Sequence, residues 1–522
     1  MPLQGTTLPA PYSGLDVVSP IDNMDPTLAL ELVNIFPGAG APTVRNGYTQ
    51  LGTATVSGQT EFMEELPRPD GTSQLIAAKN TAIYSFNNAG TRTDISKVGG
   101  YSSGQWNARI FANNMYLCNG VDPAQVYTGT GTCADITGNP PAGTTISDFI
   151  NVSSYRGRLY FVKKNTLQMF FHDTVNVPMT TGSPSLKAYD FTFVMRRGGY
   201  LLYTLTYTNQ TAATAQDIFL AVSSEGEIVA FTGYSPDDTN WSSAAASGTN
   251  TVIAHYYIGK PLGYRSFIYV NSDIWIITEQ GVVSVSSLFQ KGETQVFPTM
   301  SKPVNPIITA AASNIGFSPR WSGFFWPAGR RVYIKIPQTS SASFFLVFSI
   351  DTGAWTEFRL FSSNDSCESC LFNKLPFYGG STGTIWAGET GQADQLISGI
   401  GQSINFNYRS AFSFFGSRDT FKVFRDIRPL LKTKRGAALN IDIDTNFKQG
   451  GSNSSVVSIA STYTPWGSAW GSPWSAEMEY IYDRYATKNQ GHCGSVRVAG
   501  AIKNTSCQIF GFEIRYDVGG QV

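Results

Sequence analysis

Alternating apolar and polar residues, interrupted by Asn, Asp and Gly, recur along most of the chain. The clearest case is the segment 266–288, SFIYVNSDIWIITEQGVVSVSSL. Its alternation and its turn residues, which tolerate left-handed dihedrals, predict three short strands in a tight meander. These strands are Ser266–Val270, Ile274–Thr278 and Val282–Leu288. The first two are apolar on both faces, as expected for a sheet between other sheets, so the segment predicts one blade of a β-propeller.

Variants of this meander recur throughout 61–400. In each variant, two β-rich runs flank an Asn or Gly turn, as in Leu75–Phe86, Arg109–Gly120, Gly157–Phe171 and Asp217–Phe231. The units are separated by roughly 35 to 60 residues, a spacing that overlaps that of propeller blades. We therefore predict a β-propeller of about six or seven irregular blades over 61–400.

The two ends of the chain have a different pattern. Residues 1–60 are extended and rich in Pro and Gly, except that Asp25 as an N-cap and Pro26 in a first turn predict one short helix over 25–34. Longer alternating strands over 401–522 predict a C-terminal β-sandwich, the platform. The arm 1–60 has no core of its own, so we expect it to pack on the platform. The predicted fold class is all-β.

The composition favours a subunit of an assembly. Only 14% of residues are charged, against roughly a quarter in an average soluble domain, and 37 basic residues balance 37 acidic ones. A neutral, weakly charged surface fits a chain that buries area against partners. The start MPLQGTTLPAPYSG lacks the features of a signal peptide, and no apolar run is long enough for a membrane span. We therefore expect no membrane segment.

The sequence contains no recognisable catalytic motif. Cys367 and Cys370 form the one close cysteine pair, but no second pair of ligands is present to complete a zinc site. The histidines His172, His255 and His492 are far apart, and none lies in an acid–base motif. We predict no catalytic, cofactor-binding or metal-binding residues, and therefore a protein that is not an enzyme and needs no cofactor.

The segment Arg418–Arg435 is the strongest local charge asymmetry, with seven basic residues against two acidic ones. Such a segment can attract phosphates along a nucleic-acid channel, face an acidic partner, or form a solvated strand face. Alternation along the predicted strand places basic residues on both of its faces, which favours a strand whose ends meet an acidic partner. We therefore predict that Arg425, Arg428 and Lys432 lie at an interface with such a partner, for example a neighbouring subunit.

A second interface candidate is the run of Trp466, Trp470 and Trp474. The intervening Gly467, Gly471 and Pro473 disfavour a helix. An ordered loop that presents indoles to a groove or to a neighbouring subunit fits this pattern. A platform for stacking sugars and simple local packing are the alternatives.

Several segments together resemble tail proteins of short-tailed phages and prophages. They are PYSGLDVVSPIDNMDPTLALELVNIFPGAGAPTVRNGY near the start, Tyr155–Asn165, Ile258–Gly263, Arg425–Leu431 and the tryptophan run. The resemblance implies a tail nozzle or tail hub: a propeller plus a platform, assembled as a homo-hexameric ring below the portal and its adaptor ring. It also implies docking of tail fibres or spikes and a lumen through which double-stranded DNA passes without sequence specificity.

Three functions follow from these features. The first is a structural virion protein of the phage tail, made in the bacterial host cytoplasm. It would extend and close the DNA exit channel and take part in genome retention and ejection. The second is a propeller that binds or degrades polysaccharide, for which a pair of carboxylates about 5–10 Å apart is needed for cleavage. The third is a kelch-like protein-interaction module of a cell.

Overall fold

The computed structural model describes residues 3–38, 40–172, 174–176, 178–180, 185–210, 215–233, 235–236, 252–291, 299–433, 438–448, 455–458, 479–481 and 483–521. Within these residues the chain forms a β-propeller joined to a two-layered β-sandwich. The predicted all-β fold class is confirmed. No helix in the described part of the chain is long and apolar enough to cross a membrane.

The N-terminal arm contributes strands to both parts of the molecule. Its strands are β1 (Leu3–Pro9), β2 (Gly14–Leu15), β3 (Leu28–Val33), β4 (Ile35–Phe36), β5 (Thr43–Val44) and β6 (Tyr48–Thr55). Strands β1, β3, β4 and β5 join the platform, whereas β6 is the outer strand of a propeller blade. The last strand of the arm, β6, therefore belongs to the propeller and not to the platform.

The first four blades are four-stranded antiparallel meanders. Blade 1 comprises β7 (Phe62–Pro67), β8 (Ser73–Lys79), β9 (Ala82–Phe86) and β10 (Arg92–Asp94). Blade 2 comprises β11 (Asn107–Phe111), β12 (Asn114–Cys118), β13 (Gln125–Tyr127) and β14 (Ala134–Asp135). Blade 3 comprises β15 (Phe149–Tyr155), β16 (Arg158–Lys163), β17 (Gln168–His172) and β18 (Leu186–Asp190). Blade 4 comprises β19 (Leu201–Gln210), β20 (Ala215–Ser223), β21 (Glu227–Phe231) and β22 (Val252–Tyr257).

The remaining blades complete the ring. Blade 5 comprises β23 (Phe267–Val270), β24 (Asp273–Thr278) and β25 (Gly281–Ser284). Blade 6 comprises β26 (Ser322–Trp326), β27 (Arg331–Pro337), β28 (Ser343–Ser349) and β29 (Trp355–Phe358). Blade 7 comprises β30 (Glu368–Phe372), β31 (Leu375–Gly379), β32 (Thr384–Gly388) and the arm strand β6. The described residues thus form six four-stranded blades and one three-stranded sheet, in agreement with the predicted six or seven.

The ring is closed by the N-terminal part of the chain. Strand β6 pairs antiparallel with β32, and Trp386 lies opposite Gln50. Strand β30 of blade 7 packs on β7 of blade 1. Because blade 7 combines strands from both ends of the propeller sequence, opening the ring requires breaking a β-ladder as well as a blade contact.

In the part of the chain that the structure describes, two α-helices and three short 3₁₀ segments accompany the strands. They are α1 (Val285–Lys291), α2 (Asn305–Ile315) and the 3₁₀ turns Ile146–Asp148, Lys302–Val304 and Ser363–Ser366. The prediction of a strand over 282–288 is therefore wrong beyond Ser284, because the chain turns into α1. The Asp273 carboxylate accepts the Ser286 amide at this helix start, and Val285 and Leu288, three residues apart, are buried beside blades 4 and 5.

The predicted short N-terminal helix over 25–34 is also wrong, because Leu28–Val33 is strand β3. Asp25 accepts the Thr27 amide and hydroxyl in a local turn, so its capping chemistry is present without a helix. Strand β3 lies between β35 (Ile404–Ser410) and blade 6, with Ala29 and Leu32 fully buried. Long-range sheet pairing has overridden the local helix signal.

The platform is built from the arm and the C-terminal strands. Strands β33 (Asp394–Ile397) and β34 (Ile400–Gln402) precede the platform and extend the sheet of blade 7 beyond β6. The C-terminal strands of the platform are β35, β36 (Thr420–Thr433), β37 (Ala438–Thr445), β38 (Ser455–Ser458), β39 (Glu479–Ile481), β40 (Tyr485–Ala486), β41 (Gln490–Gly491), β42 (Gly494–Ile502) and β43 (Cys507–Gln521). One layer is formed by β1, β4, β5, β36 and β43 with β39–β41 at its edge, and the other by β3, β35, β42, β37 and β38. Alternate apolar residues from both layers, such as Phe406, Ile441 and Phe512, fill the space between them.

The second layer of the platform continues into blade 6 without interruption. Strand β3 pairs with β35 on one side and with β29 on the other, through Glu357 and Val33. At this seam the side chain of Asn34 accepts the Arg359 amide at 2.8 Å and donates to the Asn405 carbonyl at 2.7 Å. One ten-stranded sheet therefore spans the propeller and the platform, and their cores merge.

Candidate functional site

The inner strands of the propeller surround a cavity lined by both apolar and charged residues, which we call the propeller channel. Its volume is about 530 Å³. The inner strands of blades 1, 2, 3, 5, 6 and 7 line it, with Glu64, Arg109, Asn151, Tyr269, Phe324 and Cys370 as one representative from each. The first strand of each of these blades faces the axis, so their alternate side chains converge there.

One end of the propeller channel is crossed by Arg265, which precedes β23. Its Nη2 lies 2.8 Å from Oε2 of Glu368 and donates to Oε1 of Gln105 at 3.2 Å and to the carbonyl of Glu61 at 3.3 Å. Its Nε donates to the carbonyl of Pro319 at 3.0 Å. A single guanidinium therefore joins blade 5 to the segments that lead into the inner strands of blades 1, 2, 6 and 7.

Glu368 is buried and saturated by donors. In addition to Arg265, its carboxylate contacts Nζ of Lys335 at 2.9 Å, the hydroxyl of Ser322 at 3.2 Å and the amide of Ser369 at 3.1 Å. Burial opposes ionisation, but Arg265 and Lys335 outweigh it and hold the pKa of Glu368 below its ordinary value. Burial also lowers the pKa of Lys335, to about 8.

Glu64 also lines the propeller channel, and unlike Glu368 its side chain is exposed to the cavity. It is solvent-exposed within the cavity yet surrounded by protein, and this desolvation raises its pKa to about 7. The charges of Glu65 and Glu368 act in the same direction, whereas Arg265 and Arg109 oppose them. A carboxyl group with this pKa can hold or release a proton near neutral pH, and it accepts hydrogen bonds from a polar ligand.

Arg109 and Tyr269 form the cationic and aromatic part of the channel wall. The Arg109 guanidinium lies 5.8 Å from the centre of the Tyr269 ring, and its Nε donates to the Ser154 hydroxyl at 2.9 Å. These contacts fix the guanidinium between blades 2, 3 and 5. With Glu64, the channel presents both charge signs and an aromatic face to any small molecule that enters.

The predicted interface residues Arg425 and Arg428 lie on the outer surface of the first platform layer, which we call the platform face. Arg425 pairs with Asp517 at 2.5 Å, and Arg428 pairs with Glu513 at 3.1 Å. Both partners lie on β43, the strand that pairs with β36. The basic residues of β36 therefore have carboxylate partners within the chain, which sequence reading did not reveal.

Further charges extend this arrangement across the platform face. Asp426 contacts both Arg484 at 2.8 Å and Arg515 at 2.7 Å, and Arg484 also reaches Glu513. Hydrogen bonds from Arg515 and Arg484 hold the pKa of Asp426 below its ordinary value against the opposing effect of burial. The result is a network of cross-strand ion pairs along β36 and β43.

Lys432, the third predicted interface residue, lies beside an exposed aromatic pair. Its Nζ is 5.4 Å from the centre of the Tyr480 ring, and Tyr480 packs on Phe510 with ring centroids 5.7 Å apart. Both rings are exposed. The structure thus brings Arg425, Arg428 and Lys432 together on one face, next to an apolar patch.

The other predicted features have different positions. Lys422, within the same basic segment, is buried, and its Nζ donates to the carbonyls of Ser417, Thr420 and His492. Cys367 and Cys370 are free and buried at the start of β30. Trp466, Trp470 and Trp474 lie outside the described residues. Within those residues, no group of three His, Cys, Asp or Glu is placed to hold a metal.

Sequence reasoning missed the residues of the channel end. Arg265, Lys335 and Glu368 are far apart in sequence and come together only because the blades form a ring. The available signal was weak: Glu368 lies inside the cysteine pair Cys367–Cys370, and Arg265 directly precedes the best-predicted blade. A charged residue at the edge of an otherwise apolar β-run is a reason to expect a buried ion pair.

No protein-family model matches the chain, and no curated protein matches it significantly. Among solved structures, virginiamycin B lyase from Staphylococcus aureus is 11% identical with a TM-score of 0.41, covering 65% of this chain and 97% of that one. A gluconolactonase from Xanthomonas campestris is 10% identical with a TM-score of 0.31, covering 66% and 89%. Raptor from Chaetomium thermophilum is 11% identical with a TM-score of 0.38, covering 66% and 28%. These similarities carry no inference about what this chain does.

Proposed function

We propose that the chain is a structural subunit of a short-tailed phage tail, a nozzle or hub without catalytic activity. In this role, six copies form a ring in the virion tail below the portal and its adaptor ring. The ring extends and closes the exit channel for double-stranded DNA and docks tail fibres or spikes. The sequence segments that resemble such proteins support the proposal, as does the way the two parts of the molecule are joined.

The continuous sheet from blade 6 into the platform is the observation that carries this proposal. A chain whose two domains are linked by a flexible segment moves at that linker by default. Here the domains share a β-ladder through β29, β3 and β35, and Asn34 bonds to both sides of the seam. A rigid two-domain body of this kind is suited to a ring that must hold a lumen against internal pressure.

The platform face supports a role in contacts between subunits. Among the described residues, its ion-pair network contains four cations, Arg425, Arg428, Arg484 and Arg515, against the three carboxylates Asp426, Glu513 and Asp517, and Lys432 lies beside the Tyr480 ring on the same face. The excess positive charge and the exposed Tyr480–Phe510 pair provide electrostatic complementarity to an acidic partner and an apolar anchor. The neighbouring subunit or the adaptor ring is the partner that we propose.

Native mass spectrometry and electron microscopy of assembled tails test the proposal. The expected result is a closed homo-oligomeric ring, with six copies, whose lumen is coaxial with the portal. The platform and the arm strands should form the subunit contacts. A chain that is monomeric within virions, or that is absent from them, contradicts the proposed function.

A second candidate is a propeller that binds polysaccharide, which the lining of the propeller channel favours. Tyr269 offers a ring face, while Glu64 and Arg109 supply an acceptor and donors for hydroxyl groups. Binding of host-surface oligosaccharides, followed by the chemical shifts of channel residues, distinguishes the two functions. Saturable binding that is weakened in Glu64→Gln, together with a monomeric state, favours the second candidate over the first.

A further inference from the structure

Arg320 is a buried arginine whose side chain is largely without partners. It lies in the loop between α2 and β26 and is 8% exposed. Its Nη2 donates to the carbonyl of Ala342 at 3.4 Å, at the long end of the hydrogen-bond range. Within the described residues, its Nε and Nη1 have no hydrogen-bond partner. A guanidinium has five N–H donors, so most of its capacity is unused.

The loop that carries Arg320 is held firmly in place. Trp321 is fully buried, and its indole N–H donates to the carbonyl of Gly316 at 3.0 Å. The carbonyl of Pro319 accepts the Nε of Arg265, and the Arg320 amide bonds to the Ser318 hydroxyl. The guanidinium is therefore pre-organised by the fold.

Within the described residues, Arg320 has no carboxylate at ion-pair distance. Arg265, Lys335 and Arg320 surround the buried carboxylate of Glu368, while Glu61 and Glu64 interact with Arg265. Glu368 already contacts Arg265, Lys335, the Ser322 hydroxyl and the Ser369 amide, so its acceptor positions are occupied. Burial disfavours the charged form of Arg320 and lowers its pKa, yet an arginine stays protonated in proteins.

The nearest sulfur does not supply the missing negative charge. Burial raises the pKa of Cys367 to about 11, so its thiol is neutral at physiological pH despite the nearby Arg320 and Lys335. Its Sγ instead donates to the carbonyl of Ser341. Buried charges without a counter-charge cost several kcal/mol, and natural proteins pair them.

We infer that Arg320 is the centre of a built binding site for a small oxyanion, of the size and charge of phosphate or sulfate, at the seam between blades 6 and 7. Arginine is the residue best suited to bind such anions, because its planar donors match their oxygen geometry. Arg265 and Lys335 add a favourable field, and the 338–342 loop, in which Thr339 and Ser340 are exposed, carries the Ala342 carbonyl that contacts Arg320. This site is independent of the proposed ring.

Binding of inorganic phosphate and sulfate to the purified full chain tests the site. Isothermal titration at constant ionic strength, with chloride as the reference anion, should show one saturable site per chain. The thermal midpoint should rise with either oxyanion, because a ligand that binds the folded state stabilises it. In Arg320→Gln we expect the affinity for phosphate to fall by about tenfold or more, because the charge-assisted hydrogen bonds of the guanidinium are lost.

Arg330→Gln is the matched control. Arg330 lies on the same blade, in the turn between β26 and β27 at the other end of β26, and it is exposed and pairs with Asp351, so its loss should leave phosphate binding unchanged. Direct binding measured on the wild-type chain by equilibrium dialysis with phosphate keeps the test valid even where Arg320→Gln is poorly folded. The site is refuted by the absence of saturable binding beyond that of chloride, or by equal binding in the wild type and in a folded Arg320→Gln.

Discussion

Nη2 of Arg265 lies 2.8 Å from Oε2 of Glu368, and this buried pair joins blade 5 to blade 7 across the end of the propeller channel. Glu368 also contacts Lys335 of blade 6, but Arg265 is the cation that connects it to blade 5. The pair is thus a second long-range contact that holds the propeller ring together, in addition to the β-ladder between β6 and β32. Both contacts link parts of the sequence that are far apart.

Replacing Arg265 with Met should destabilise the fold by about 3–5 kcal/mol, because Glu368 is then left buried with Lys335 as its remaining cation. Urea unfolding followed by tryptophan fluorescence measures the change. Lys260→Met serves as the control, since Lys260 pairs with Glu225 on an exposed surface and its loss should leave the midpoint nearly unchanged. A stability of Arg265→Met equal to that of the control contradicts the closing role.

Glu64 should make stability fall as the pH rises. Desolvation raises the folded-state pKa of its carboxyl to about 7, above its ordinary value of 4.5 in an unfolded chain. Below pH 4.5 the group is protonated in both states, whereas between pH 4.5 and 7 the unfolded chain loses its proton first, which favours unfolding. Above pH 7 the full penalty is present.

Glu64→Gln should therefore be more stable than the wild type at pH 8, and the difference should vanish towards pH 4.5. Urea midpoints measured at several pH values check this. Glu225→Gln, at an exposed carboxylate outside the channel, is the control, and it should not reproduce the pH dependence. A constant difference between Glu64→Gln and the wild type at every pH contradicts the raised pKa.

Ile276 tests the placement of the central strand of blade 5. It is fully buried in β24, opposite Phe267 on one side and Val283 on the other. Ile276→Asp should unfold the blade, because an unpaired buried carboxylate costs several kcal/mol. Asn271→Asp at the adjacent exposed turn, where φ is 53°, should fold normally. Circular dichroism and proteolysis distinguish the two variants.

The hydrophobic pattern predicts strands well where a run has turn residues at both ends. The predicted strand Ile274–Thr278 agrees with β24 to within one residue, because Asp273 and Glu279-Gln280 mark its limits. The same reasoning fails at Leu28–Val33, where Asp25 and Pro26 signal a helix, because two of the strand's three sheet partners, β29 and β35, lie more than 300 residues away. Local signals carry no information about such partners.

The candidate sites depend on distant pairing to an even greater degree. The basic character of β36 is visible in the sequence, but its partners Asp517 and Glu513 become neighbours only when β43 pairs with β36. Arg320 likewise resembles any loop arginine until its burial is known. Charge balance at a site is a property of the tertiary structure, so composition and spacing alone do not predict it.

The ion pairs of the platform face allow its role in assembly to be separated from its role in folding. Reversing Arg425 and Arg428 to Glu places like charges beside Asp517 and Glu513. Because these positions are largely on the surface, we expect the isolated chain to stay folded while ring formation is lost. Native mass spectrometry and thermal unfolding of the purified chain measure the two effects.

A charge swap distinguishes a contact of Arg425 with a neighbouring subunit from its ion pair within the chain. Combining Arg425→Glu with Asp517→Arg restores that pair within the chain and leaves the contact of Arg484 with Glu513 intact, but it exchanges the positions of the two charges on the platform face. If Arg425 contacts an acidic neighbour, the swap should fail to assemble, because the outward pattern of charge remains altered. A swapped chain that assembles like the wild type shows that the pair serves the fold of one subunit. Normal assembly of the double reversal, with altered DNA retention or ejection alone, places the basic residues at the lumen and contradicts the predicted interface.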